Sequence, residues 1–336
     1  MSSAAASVPT SIGRVRFAPL KSAWLWAHVA VSAALLPEAL TPGRAAAAVV
    51  IAYLTLCWGH SVGLHRGVIH RTYRTSRALE RTLVGLFLFT GLGGPLSWTR
   101  LHKVRDYWQN RRDCPDYFAY RHGVARDLLW NLHHEFRPRS WERYAISAAV
   151  ENDRFLRIAD RLWWLPSVAL YAGLWTLFDW RTAVVCGVAR VAASILGHWF
   201  IGFWTHAKGE RSFELPGATE HGSNSLLFGW ISFGEGFHNN HHAFPDSARM
   251  GIERFEFDLG WQAVLVLERL GWIRDVRSWC RGNAPGRGIA CAQVREVRRP
   301  RRSRNSTSRL SLPSASVLRR AARARRASRE RFARGR

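Results

Sequence analysis

The stretch GEGFHNNHHAFP, residues 234–245, carries three histidines at positions i, i+3 and i+4. On an α-helix these positions share one face, so the spacing predicts that His238, His241 and His242 present their imidazoles to one region. Imidazole is a suitable ligand for iron, zinc and copper. A polar turn without a bound metal is the alternative interpretation, and the other histidines of the chain bear on the choice.

Three further regions carry histidines next to apolar segments: His65 and His70 in HRGVIH, His102, and His198. No short segment can surround two ions, so four distant regions that meet at one membrane face indicate a polynuclear metal site. Two residues five apart differ by about 140° around an α-helix. The pair His65 and His70 is therefore expected to serve two neighbouring ions rather than one.

The five cysteines form no CxxC pair and no even set. This pattern argues against a disulfide framework and against a structural zinc or iron–sulfur site. The sequence therefore favours a metal site built mainly from imidazoles.

Long apolar, Trp-rich runs alternate with Arg-rich runs, which predicts an all-α membrane protein. Four spans, arranged as two hairpins, are predicted at about 22–40, 45–64, 162–178 and 182–204. The apolar run 83–96 is short and rich in glycine, and we expect it to be re-entrant or interfacial.

Two hairpins place both termini and the long Arg-rich loop 65–161 on the same side of the membrane, and the positive-inside bias makes that side cytoplasmic. We expect a helical cytosolic cap that carries the histidines. The predicted divisions are an N-terminal cytosolic segment, 1–21, a membrane domain, 22–280, and an Arg-rich disordered tail, 281–336.

The net charge of +25 does not indicate nucleic-acid binding, because most of it is confined to the tail. Residues 281–336 hold 18 arginines and only two acidic residues. The remainder of the chain has a modest positive charge that fits cytosolic membrane loops, so no nucleic-acid partner is expected.

HRGVIH, WTRLHKVRD and GEGFHNNHHAFP, in this order, resemble the three histidine boxes of the integral-membrane fatty acid desaturases of the acyl-CoA and acyl-lipid kind. In that family the boxes read HxxxxH, HxxHH and HxxHH, and one more histidine comes from the last membrane helix. The resemblance covers about residues 22–275. The metal ligands that it implies here are His65, His70, His102, His198, His238, His241 and His242.

The second box departs from the family pattern, because only His102 remains and the adjacent histidine pair is replaced by Arg105 and Asp106. An arginine stays protonated and cannot bind a metal, whereas an aspartate can. Asp106 is therefore the candidate replacement ligand, and a broken site is the alternative. Other residues that could supply a ligand are Asp113, Asp116, His122 and His221.

The resemblance implies an O2-dependent fatty acyl desaturase with a non-haem di-iron centre, acting on a long acyl chain carried by CoA or by lipid. It implies a multi-pass membrane protein with a cytoplasmic active site. The sequence carries no cytochrome b5-like HPGG segment, so the expected electron donor is a separate ferredoxin or cytochrome b5-like protein with its reductase. The alternatives are a related di-iron membrane hydroxylase and a catalytically impaired paralogue that binds acyl lipid.

Overall fold

A computed structural model of the 336-residue chain describes residues 8–144, 146–279 and 295–296. The predicted disordered tail, 281–336, lies outside the described residues except for the pair 295–296. The same holds for residues 1–7 of the predicted N-terminal segment.

The described chain is mostly helical, as the sequence predicts. Its helices are α1 (Pro19–Ala39), α2 (Pro42–Ile69), α3 (Arg77–Leu88), α4 (Pro95–Gln109), α5 (Val124–His133), α6 (Ala148–Glu151), α7 (Arg154–Arg161), α8 (Leu165–Leu177), α9 (Trp180–Ala207), α10 (Leu226–Ile231), α11 (His238–Ala243) and α12 (Leu259–Arg269), with a single 3-10 turn at Glu142–Tyr144.

The strands of the described residues form three small antiparallel pairs. These strands are β1 (Gly13–Phe17), β2 (Arg74–Thr75), β3 (His134–Pro138), β4 (Phe213–Glu214), β5 (Ile273–Arg274) and β6 (Arg295–Glu296). β1 pairs with β3, β2 with β5, and β4 with β6. Each sheet pairs segments that are far apart in sequence, so the strands connect the loops around the helices by backbone hydrogen bonds.

Two of the predicted spans, α2 and α9, are apolar helices of 28 residues each and are long enough to cross a membrane. The predicted spans 22–40 and 162–178 correspond to α1, which has 21 residues, and to α8, which has 13. The predicted re-entrant run 83–96 is the end of α3, a turn and the start of α4. In that turn Gly91 and Gly93 adopt positive φ angles, which favour glycine.

Side-chain caps fix where several helices begin. The hydroxyl of Thr41 accepts a hydrogen bond from the Arg44 N–H at the start of α2, and Pro42 occupies the first turn. Ser76 caps α3 in the same way. A carboxylate oxygen of Asp258 accepts from the Trp261 N–H at 2.8 Å and caps α12. These residues define the ends of helices that flank the histidines.

The middle of α2 lies directly against α3 because glycines leave room for the neighbouring backbone. A Cβ atom added at Gly59 would lie 2.4 Å from the backbone nitrogen of Phe87, and one added at Gly63 would lie 2.7 Å from the Cβ of Leu83. Phe87 and Leu83 are themselves buried. This close contact fixes the position of α2, whose final turns carry two of the predicted ligands.

The substitution Gly59→Ala is expected to lower the thermal unfolding midpoint of the detergent-solubilised protein, because the new methyl group would collide with the backbone of α3. Overpacking of this kind costs about 1–3 kcal/mol. The matched control is Gly85→Ala, since a Cβ atom at Gly85 meets nothing within 4 Å. Equal midpoints for the two variants would contradict the packing argument.

Candidate metal centre

Four of the predicted ligands meet near the C-terminal end of α2. His65, His70, His102 and His241 each offer one ring nitrogen, and these four atoms lie within 4.8 Å of one another. They come from α2 and its C-cap, from α4 and from α11. We call them the four-histidine group.

The nitrogens of this group are spaced as ligands of one ion would be. The Nε2 atoms of His65 and His102 are 2.9 Å apart, and those of His70 and His102 are 3.5 Å apart. Two imidazole nitrogens bound to one ion at about 2.1 Å and at a right angle to each other would be about 3.0 Å apart. Without a cation between them, two such nitrogens whose lone pairs face each other would repel. The spacing therefore fits a shared cation.

The expectation that His65 and His70 serve different ions is wrong in this structure, because both rings belong to the same group. From Tyr53 to Ile69 the helix α2 is wound as a π-helix, with i→i+5 hydrogen bonds. The His70 N–H donates to the His65 carbonyl oxygen at 3.0 Å. This winding brings residues five apart onto the same side, and the two ring centroids are 4.9 Å apart.

A second set of ring nitrogens, from His206, His238 and His242, also lies within 4.8 Å. We call it the three-histidine group. Nδ1 of His206 is 2.7 Å from the Gly202 carbonyl oxygen, so this nitrogen carries the proton and donates it. Nε2 of His206 is then left with its lone pair, and it is buried without a hydrogen-bond partner. That nitrogen is suited to bind a metal.

The structure places the predicted ligand His198 outside both groups, although His198 and His206 lie on the same helix, α9. The ring of His198 packs 4.7 Å from that of His60 and 4.8 Å from that of Trp98, measured between centroids. His206 is eight residues, about two turns, closer to the third box. Its position beyond His198, at the end of α9, is the sequence signal that could have identified it.

The short helix α11 joins the two groups. His241 contributes to the four-histidine group, while His238 and His242 contribute to the three-histidine group. The His241 ring centroid is 5.6 Å from that of His238 and 6.0 Å from that of His242. The two groups are therefore adjacent, and the three histidines predicted to face one region are divided between them.

Two asparagines between the histidines anchor α11, and the sequence reasoning gave them no role. Oδ1 of Asn239 accepts from the backbone N–H groups of Ser212 and Phe213 at 2.7 and 2.8 Å. Nδ2 of Asn240 donates to Glu256 at 2.8 Å and to the Met250 carbonyl oxygen. Both amides are fully buried. They fix the orientation of a helix that is only six residues long.

Carboxylates contact the far side of two ligand rings. An oxygen of Glu235 lies 2.6 Å from Nδ1 of His65, and an oxygen of Asp106 lies 3.0 Å from Nδ1 of His102. Such partners orient a metal-binding imidazole and make it a better ligand. Burial opposes ionisation of both acids, but the neighbouring histidines, joined at Glu235 by Arg66, outweigh it and lower the pKa of each carboxyl.

The buried guanidinium of Arg66 connects the first and third boxes. It donates to Glu235 at 3.1 Å, to both oxygens of Asp258 at 3.1 Å, and to the Ala248 carbonyl oxygen at 2.8 Å. Because Glu235 also contacts His65, the Arg66 guanidinium holds in place the carboxylate that orients the His65 ring. This ion-pair network was not anticipated from the sequence.

The two altered positions of the second box, Arg105 and Asp106, lie close to the site but belong to neither group. Asp106 contacts His102 instead, and Arg105 donates to the Tyr120 hydroxyl at 3.0 Å and to the Asn131 side chain.

The other candidate replacement ligands also lie outside both groups. His122 contacts Asp127 at 2.8 Å, and Nδ1 of His221 accepts from the Leu215 N–H. Asp113 and Asp116 are exposed.

Burial favours the neutral form of four histidines of the site. Outside the apolar helices, burial together with the neighbouring imidazoles lowers the pKa of His70, His238 and His241 well below its ordinary value. Burial also lowers the pKa of His242 to about 4. A histidine binds a metal only in its neutral form, so these side chains are ready to act as ligands near neutral pH. The donor set fits two adjacent cations.

Comparison with known proteins agrees with this geometry. The chain belongs to the fatty acid desaturase family, whose sequence model matches residues 41–262 and therefore spans both histidine groups. Members of the family are oxidoreductases, and the chain is an enzyme of that class.

Several relatives have defined activities. The chain is 28% identical to the sn-1 stearoyl-lipid 9-desaturase of Anabaena variabilis over 258 residues, which cover 76% of this chain and 91% of the relative. It is 27% identical to the acyl-CoA C20 Delta5-desaturase of Anemone leveillei, covering 68% of this chain and 73% of the relative. It is 26% identical to the Delta-9 acyl-lipid desaturase 2 of Arabidopsis thaliana, covering 65% of this chain and 70% of the relative.

The substitution Arg66→Gln is expected to destabilise the fold, because it leaves the buried carboxylate of Asp258 without its counter-charge. Breaking one side of a buried ion pair costs about 3–5 kcal/mol. Denaturant-induced unfolding in detergent measures the change. Arg77→Gln, at an exposed arginine on α3, is the matched control and should unfold like the unmodified chain. A small effect at Arg66 would show that the network contributes little.

Proposed function

We propose that the chain is an O2-dependent fatty acyl desaturase that introduces a double bond into a long acyl chain at a non-haem di-iron centre. The observation that carries the proposal is the presence of two adjacent groups of imidazoles, contributed by four segments that are distant in sequence. Membership of the desaturase family and the activities of the relatives support the same reaction class.

The donor set favours iron within this reaction class. All seven atoms of the two groups are imidazole nitrogens, and neither group includes a thiolate among the described residues. Imidazole suits iron, and iron carries O2 chemistry in many histidine-rich sites. The proposed ligands are His65, His70, His102 and His241 for one ion and His206, His238 and His242 for the other.

When bound, a pair of iron ions supplies the O2 chemistry by which one hydrogen leaves each of two adjacent methylenes, while O2 takes up two external electrons and two protons to give two waters. The protein's own contribution is to orient the ligands. The Gly202 carbonyl accepts a hydrogen bond from Nδ1 of His206, and carboxylate oxygens of Glu235 and Asp106 lie 2.6 and 3.0 Å from Nδ1 of His65 and of His102. These contacts fix which nitrogen of each ring faces the centre.

We infer that α1 and α8 accompany α2 and α9 across the membrane, which gives four spans with the histidines at the cytoplasmic face. Large apolar side chains on both helices are exposed, including Trp26 and Val31 on α1 and Trp175 and Leu177 on α8. Lipid would cover these surfaces. The substrate is an acyl chain carried by CoA or by a membrane lipid, and a separate ferredoxin or cytochrome b5-like protein supplies the electrons.

Expression of the full chain in a desaturase-deficient host should produce fatty acids that are lighter than the saturated precursor by two hydrogens. Mass spectrometry of the extracted fatty acids measures this, and His241→Ala is the inactive control. Products heavier by one oxygen would instead identify a hydroxylase. Unaltered lipids from a folded, membrane-inserted protein would indicate a catalytically impaired paralogue and overturn the proposal.

The two histidines of α9 provide a matched pair of variants. His206→Ala is expected to abolish desaturation, because the three-histidine group loses one of its three nitrogens. His198→Ala should retain a substantial part of the activity, since His198 lies in neither group. Double-bond content per unit of folded protein is the measurement. Loss of activity in His198→Ala with retention in His206→Ala would favour the ligand set that was predicted from the sequence.

A further inference from the structure

The two histidine groups are unequal in size, and the altered second box lies beside them. One group has four imidazole nitrogens and the other has three. Position 105, at which the family pattern has a histidine, carries an arginine. Arginine cannot bind a metal because it remains protonated. The Arg105 side chain instead acts on a residue of the three-histidine group, His206.

Arg105 acts on the three-histidine group through Tyr120. Nη1 of Arg105 donates to the Tyr120 hydroxyl at 3.0 Å, and Nη2 donates to Oδ1 of Asn131. The ring of Tyr120 stacks on the ring of His206, with centroids 4.0 Å apart and planes 15° apart. The guanidinium therefore holds an aromatic ring against one of the three ligands. Both hydrogen-bond acceptors of Arg105 are neutral, although the Asp127 carboxylate is close enough to act on its charge. The same positive charge acts on His206.

Asp106 acts on the other group. Its carboxylate contacts Nδ1 of His102, four residues earlier on α4, at 3.0 Å. His102 belongs to the four-histidine group. A carboxylate behind an imidazole makes the ring a better ligand. Asp106 therefore favours a cation at the four-histidine group through His102, and its charge also acts on His242 of the three-histidine group. Arg105 instead adds a positive charge beside the three-histidine group.

We propose that Arg105 makes the two metal positions of this chain unequal, so that the four-histidine group retains its ion while the three-histidine group exchanges its ion readily. The inference rests on the metal centre proposed above. Arg105 is a positioning residue, because it touches Tyr120 rather than a ligand. Its two effects are the loss of one imidazole and the addition of a nearby positive charge, which repels a cation.

Metal titration of the full-length protein tests the inequality without measuring activity. Protein in detergent is stripped with a chelator and titrated anaerobically with Co(II), whose visible absorption reports each bound ion. Elemental analysis after gel filtration counts the ions retained. Two binding steps are expected, with dissociation constants that differ by at least about tenfold, and about one ion should survive gel filtration.

Variants assign each step to its group. His206→Ala should remove the weak step and leave the strong one, whereas His70→Ala should impair the strong step. Arg105→His is expected to tighten the weak step by at least about tenfold, because it supplies an imidazole and removes a charge. Arg112→His, at an exposed arginine just beyond the end of α4, controls for the added histidine and should leave both steps unchanged.

Arg105→Gln provides a second test should Arg105→His fail to fold. Glutamine keeps a hydrogen-bond donor near Tyr120 but removes the charge, so it should tighten the weak step by a smaller factor. Two steps of equal strength in the unmodified protein, or an unchanged weak step in both folded variants, would overturn the inference alone. The absence of any bound Co(II) would overturn the metal centre and the inference together.

Discussion

The buried charge of Arg66 is the constraint on which the histidine site depends. Its guanidinium joins α2 to Glu235, which precedes α11, and to Asp258, which caps α12. An isolated cation in such surroundings would be very unfavourable, so these segments must remain assembled around it. Because Glu235 also contacts His65, the packing of the helices and the orientation of a ligand are set by the same ion pairs.

Much of the site could be predicted from the sequence, because the relevant signals are local. The spacing of His238, His241 and His242 on a helix required only the geometry of one turn. The distances between segments and the winding of the backbone cannot be predicted from such local spacing. The apolar run predicted at 45–64 stops before the polar residues at its end, whereas α2 continues to Ile69 and includes His65 and Arg66. Internal hydrogen bonds allow these residues to stay within the helix.

The last-helix histidine shows the limit of motif comparison. A pattern that requires one histidine on a helix does not state its depth, and His198 and His206 both satisfy the pattern. Only the three-dimensional arrangement places the His206 ring against His238, with centroids 4.6 Å apart. The ion-pair partners were equally hidden, since Arg66 and Asp258 are 192 residues apart. The helical class, in contrast, could be predicted from the lengths of the apolar runs. Among the described residues, α2 and α9 alone are both long and apolar enough to span a membrane by themselves.

The π-helical winding of α2 gives the first histidine box a meaning beyond its list of ligands. The interval of five residues between His65 and His70 matches the hydrogen-bond period of the backbone that carries them. A helical wheel drawn at 3.6 residues per turn would separate these two rings and overlook the site. The spacing of the first box therefore depends on the π-helical winding of the backbone. Insertion or deletion of one residue between His65 and His70 would change both the hydrogen-bond pattern and the relative positions of the two rings.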